Sequence, residues 1–308
     1  MFHESIGKVK GMNARQSEFE KFLAEEVRRY RGMNYPVKAG LLRRILTRRM
    51  LCKRIHPNPN DEFCAPDIGP NSSIISKYAN AIRVAREQGL KRFFDEPLTI
   101  EKMHPDGYML LNGHHRWAAL IRSGEALAPV KIVNLTQAAD LKKMAHRAHS
   151  NKRLTMDLDE IVFTDGKDGK TEPQRRRWLR KYFPEQLRQG IPIIFHFFRS
   201  NGYDIWVYSA RYYSTEYIQR FFRQYNLQLD GVVTGLVQHR PGISEVRKEM
   251  DQLAKVQYPM TVHVDGKSVL CIDRQRHQFK EYELSGNGDT WAVEVMDSIG
   301  DYEKHEKQ

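Results

Sequence analysis

Cysteine is scarce in this sequence: Cys52, Cys64 and Cys271 are odd in number, widely separated and form no CxxC pair. That argues against a disulfide framework and a structural zinc site, and it fits a reduced, cytoplasmic setting. No apolar run approaches the ~18 residues that a membrane-spanning helix needs. The opening residues, MFHESIGKVK, lack the continuous apolar core of a secretory signal. No membrane partner is therefore expected. Internal repeats and low-complexity segments are also missing.

What is present is positive charge, unevenly spread. The net charge is +12 over 308 residues, a length that accommodates about two domains. Three stretches are expected: a basic helical segment over 1–50, an alternating domain with its linker over 51–150, and a second alternating domain over 151–308. Within the first, SEFEKFLAEEVRRYRG sets Phe19, Phe22, Leu23, Val27 and Tyr30 near one helical face, with Gly32 as the terminator. The run LLRRILTRRMLCKR comes next, with Leu41, Leu42, Ile45, Leu46 and Met50 at helical spacing among its arginines. Such a basic amphipathic helix suits nucleic acid, an acidic partner or a membrane surface. It equally suits docking through its apolar stripe with a solvated basic face. Residues 38–54 are thus a candidate nucleic-acid contact.

The segment EPLTIEKMHPDGYMLL reads as two strands around a Pro105–Asp106–Gly107 turn, and HHRWAALIRSG reads as a helix ended by Gly124. Asn112 and Gly113 then stand at a strand-to-helix junction. There the backbone can approach a ligand closely, and the free N–H groups of the helix favour an anion. Arg116 adds a fork suited to phosphate, and His114 and His115 add hydrogen-bond donors without permanent charge.

The run GHHRWAALIRSGEALAPVKIV, preceded by PNPNDEFCAPDIGPN and the helix SSIISKYANAIRVAREQG, resembles the ParB/sulfiredoxin fold. Within that fold it is most similar to the archaeal free serine kinases. The resemblance implies an α+β domain that binds ATP, ADP or another nucleotide through Gly113, His114, His115 and Arg116, with Asn112 beside them. It also implies a carboxylate base: Glu62 first, Asp61 or Asp67 otherwise. His114 occupies the place of the sulfiredoxin cysteine, which excludes sulfinic-acid reduction. The chain does not continue into a helix-turn-helix, which sets it apart from the partitioning proteins.

In the second half, RLTMDLDEIVFTDG reads as a strand ending in Asp157 and Asp159, both carboxylates on one side of its C-terminal edge. Crevices beyond such strand ends are where open α/β sheets bind ligands. GYDIWVYSARYY is a strand ending in Ser209, Lys248 lies further on, and MTVHVDG is a strand ending in Asp265. This order resembles the haloacid dehalogenase superfamily, with a Rossmann-like parallel sheet. The resemblance implies that Asp157 attacks phosphorus, that Asp159 protonates the leaving oxygen and then activates water, and that Ser209 holds the phosphoryl oxygens. Lys248 would neutralise them, with Arg240, Arg247 and Lys267 as alternatives. Mg²⁺ would be held by Asp157, Asp159 and Asp265, with Asp273 further along the chain.

Two functions are carried forward. One is a bifunctional phosphoryl-transfer enzyme, a nucleotide-dependent kinase-like domain joined to a Mg²⁺-dependent phosphatase, acting on a small phosphate ester or hydroxyl acceptor or on a nucleic-acid end. The other is a nucleotide-sensing or nucleic-acid-binding regulator whose second domain is inactive.

Overall fold

The computed structural model describes residues 18–32, 34–90, 92–164, 170–173, 180, 182–285 and 290–305. The chain is mixed α/β and forms two compact units. One runs to Asn134 and takes in His239–Pro241; the other comprises the rest of the chain from Leu135. Among the described residues no helix is long and apolar enough to cross a membrane.

In the first unit, helix α1 over residues 18–30 buries Phe19, Leu23 and Tyr30, and Gly32 stands just beyond it at φ 72°. The elements after it are β1 (Tyr35–Pro36), α2 (Leu41–Leu46), β2 (Arg49–Leu51), β3 (Ile55–His56), α3 (Ser72–Glu87), β4 (Leu98–His104), β5 (Tyr108–Asn112), α4 (His114–Arg122) and β6 (Leu127–Val133). The first fifty residues are therefore not uniformly helical. The basic helix stops at Leu46 because Thr47 turns extended and Met50 is drawn into β2, where it pairs with Ala128.

The sheet of this unit is mixed, in the order β2-β6-β4-β5-β3, with β1 on β4. β4 lies antiparallel to β5 and parallel to β6. Helix α3 begins where the Asn71 side chain accepts the N–H groups of Ser73 and Ile74. Its Ile82 joins Leu98, Ile100, Leu110 and the Trp117–Leu120 face of α4 in a core closed to solvent.

The second unit opens with α5 (Ala138–Ala145). The sequence pattern places this stretch in a linker of the preceding domain. Leu141 instead packs with Trp206, Val233, Val246 and Tyr258, which ties α5 to the second unit. Next come β7 (Lys152–Asp157), β8 (Phe163–Thr164), β9 (Gln186–Leu187), α6 (Ile191–Ser200), β10 (Tyr203–Ser209), α7 (Thr215–Arg223) and β11 (Gly231–Thr234). After them are α8 (Ile243–Gln252), β12 (Met260–Val264), β13 (Ser268–Asp273), β14 (Gln278–Glu283) and α9 (Trp291–His305).

The strand order is β11-β10-β7-β12-β13-β14. β11, β10, β7 and β12 run parallel, and β13 and β14 extend the sheet antiparallel. Leu154, Ile205, Val207, Val232 and Val262 are wholly buried, as strands covered on both faces require. From β7 the chain moves outward through β10 to β11, then returns to β12 on the other side of β7. The order therefore reverses between β7 and β12. In open parallel sheets such a reversal leaves a crevice beyond the strand C-termini.

Candidate functional site

Asp157 ends β7 at that reversal. Its Oδ1 accepts the N–H groups of Asp159 and Glu160 at 2.6 and 2.9 Å, capping the single π-turn Leu158–Val162. One carboxylate oxygen is thereby fixed, and the other makes no hydrogen bond among the described residues. Asp265 comes directly after the last residue of β12, the strand paired in parallel with β7. Its Oδ1 accepts from the N–H groups of Lys267 and Ser268 at 2.8 and 2.7 Å. Burial pushes the Asp265 carboxyl up, but these donors and nearby His263 outweigh that and leave it below the usual carboxylate range.

Ser209 ends β10 on the opposite flank of β7. Its hydroxyl donates to Asp159 Oδ2 at 2.6 Å, and its Oγ accepts the Arg211 N–H at 2.9 Å. Asp159 Oδ1 is buried without a hydrogen bond and lies 3.3 Å from Arg211 Nε. Arg211 also bonds the Tyr213 hydroxyl, and Tyr213 stacks on Tyr217, whose hydroxyl donates to Glu185. Thus Asp157, Asp159, Ser209 and Asp265 all stand at one edge of three adjacent strands.

His263 precedes Asp265 on β12, with Nδ1 2.8 Å from Thr155 Oγ1. Burial lowers its pKa, opposed by Asp265 and Asp157. The alternation of the strands puts Thr155 and Asp157, His263 and Asp265 on one face.

Lys248 lies on α8. Val246 is the α8 residue turned into the core, and a residue two positions on lies about 200° around the helix, so Lys248 is exposed. Arg247 is exposed as well, Arg240 is buried and groups with the first unit, and Lys267 lies in the turn closed by Asp265. A cation that does stand beside Asp159 is Arg211, which sequence reasoning missed. Its signal was its place two residues after the strand-ending Ser209. Asp159 faces Ser209 and Arg211 rather than Asp265, so it does not complete a three-carboxylate metal set. Asp273 ends β13 and accepts the N–H groups of Gln275 and Arg276 in the next turn.

Among the described residues no group of three or more His, Cys, Asp or Glu could hold a metal ion. Mg²⁺, however, commonly uses one or two carboxylates and completes its shell with water and substrate phosphate. The carboxylates of Asp157 and Asp265, at the ends of two neighbouring parallel strands, fit that smaller donor set.

In the first unit, Gly113 caps α4 at φ 99°, where a Cβ would lie 2.7 Å from Leu98 Cδ2. His114 is buried. Its Nε2 accepts the Asn58 N–H at 3.3 Å, and its Nδ1 faces Asp61 Oδ2 at 3.6 Å. Burial pushes its pKa down to about 4, against the pull of Asp61. His115 Nε2 accepts the Asn71 N–H at 3.3 Å, and burial lowers its pKa too. Both imidazoles are therefore acceptors at Nε2 that pin the 58–71 loop to α4, which in the neutral ring leaves the proton on Nδ1. Arg116 Nη1 donates to the Glu96 carbonyl oxygen at 2.6 Å. Asn112 ends β5, exposed. Glu62 and Asp67 are exposed, and the carboxylate that reaches the histidines is Asp61.

No family model matches the chain, and no curated protein matches it either.

Proposed function

We propose that the second unit is a Mg²⁺-dependent phosphohydrolase of the haloacid dehalogenase type, acting on a phosphate monoester. The observation that carries this reading is the placement of Asp157 and Asp265 at the ends of two parallel strands where the strand order reverses. The Ser209–Asp159 pair stands on the adjoining strand end.

The free oxygen of Asp157 attacks phosphorus as the ester oxygen departs, giving an aspartyl-phosphate. The double N–H cap on Oδ1 holds the carboxylate in one orientation for that attack. Asp159 supplies the proton that the departing alkoxide needs, then takes one from the water that attacks the aspartyl-phosphate and releases inorganic phosphate. Ser209 orients Asp159 through its hydroxyl, and Arg211 lies where it neutralises negative charge next to Asp159. Mg²⁺, held by Asp157 and Asp265, would offset the charge gathered between carboxylates and phosphate.

For the first unit we propose a narrower role within the ParB/sulfiredoxin resemblance. Its anion-binding capacity rests first on the amides of α4, because Nε2 of each imidazole and Nη1 of Arg116 already bond backbone. We accordingly assign catalysis to the second unit rather than to a kinase-like first one. Phosphate release from a panel of small phosphate monoesters, with Mg²⁺ and with EDTA, tests the proposal. Release that EDTA abolishes is expected; a panel without release refutes it.

A further inference from the structure

Helix α2 exposes its apolar side chains. It buries no residue. Its arginines reach toward the protein without being buried: the Arg43 guanidinium sits 6.0 Å from the centroid of the buried Tyr108 ring, and Arg44 Nε donates to the Ala39 carbonyl oxygen at 3.2 Å. Leu42 and Leu46, one turn apart, are 73% and 71% exposed. Leu41 and Ile45 are also exposed on this short helix. Beside them, Leu51 on β2 pairs across the strands with Leu127 on β6, and both are exposed. Around this aliphatic surface stand Lys38, Arg48, Arg49, Lys53 and Arg54, all exposed, and no acid or aromatic residue occurs from Lys38 to Arg54.

Each candidate occupant meets these facts differently. A nucleic acid would satisfy the cations but leave Leu42 and Leu46 in water, and the segment has no ring on which a base could stack. A second copy facing this surface across a two-fold axis would set cation against cation. An acidic protein would need a groove shaped to receive the two leucines. An anionic bilayer needs no matched shape: it takes protruding aliphatic side chains into its acyl boundary while its headgroups meet the surrounding cations.

We propose that the Leu42–Leu46 face of α2 docks the protein peripherally on an anionic lipid surface. The claim is independent of the phosphohydrolase reading. Flotation of the full chain with vesicles tests it, using phosphatidylcholine alone and equal parts phosphatidylcholine and phosphatidylglycerol. Flotation with the mixed vesicles only is expected, weakened by added salt. The double variant Leu42→Ser/Leu46→Ser should bind about tenfold more weakly or worse, since each leucine loses its apolar burial. Its melting temperature should stay at the wild-type value, because neither side chain is buried. No flotation with the mixed vesicles, or flotation unchanged in the leucine variant, overturns the proposal. Binding to a duplex oligonucleotide, equal in wild type and variant and without vesicle binding, would assign the surface to nucleic acid instead.

Discussion

The Ser209 hydroxyl is closed to solvent and serves two partners, donating to Asp159 and accepting from the Arg211 backbone. Ser209→Ala keeps the volume but leaves a carboxylate oxygen and an amide without their bond. A loss of roughly 1–3 kcal/mol in denaturant unfolding of the second unit is expected, because buried groups left unsatisfied carry their desolvation cost. Turnover should fall with it. In the first unit, His114 has its pKa pushed down by burial to about 4, so the unfolded chain binds the extra proton in the window from about 6.5 down to about 4. Stability of that unit is therefore full above pH 6.5 and declines as pH falls through the window. Hydrogen exchange of the α4 amides, monitored against pH, should quicken there in the wild type. It should stay nearly level in His114→Gln.

At the scale of elements, two glycines fix where strands and helices meet. Gly231 begins β11 opposite Trp206 on β10, and a Cβ there would fall 1.9 Å from Trp206 Cδ2. Gly231→Ala should cost about 3 kcal/mol in thermal or chemical unfolding, because the buried indole cannot retreat. Gly113→Ala combines a left-handed backbone with a close approach to Leu98, and roughly 2 kcal/mol is expected for that strain. Much of this level was legible in the chain. Pro105–Asp106–Gly107 announced the turn between β4 and β5, Gly124 the end of α4, and the hydrophobic runs before Asp157, Ser209 and Asp265 the strands that carry them. Periodicity did not reveal which side of α2 is covered. A stripe at helical spacing is the same whether its partner is the core or something outside the chain, and here Leu42 and Leu46 face outward. The helical pattern of 41–54 also concealed a strand, because Met50 fits either an α-helical stripe or the inward face of β2, and pairing with Ala128 decides it.

At the scale of the whole molecule, two units each present a strand-to-helix or strand-to-turn edge. Their side chains serve different ends. Around α4 the imidazoles hold a loop through Nε2, which no motif discloses because backbone partners leave no trace in a sequence. Around β7, Asp157 and Asp265 end neighbouring strands, which was legible because strand ends in a parallel sheet share an edge. Lys248 is exposed because helix phase, not order along the chain, decides which α8 residue turns inward. Arg211 reaches Asp159 through the turn that follows Ser209. The most direct test of the account is turnover of an aryl phosphate by wild type and by Asp157→Asn, across a Mg²⁺ titration. The account predicts Mg²⁺-dependent release in the wild type and none in the variant at an unchanged melting temperature. Equal turnover in both proteins, or none in the wild type at any Mg²⁺ concentration, would contradict it.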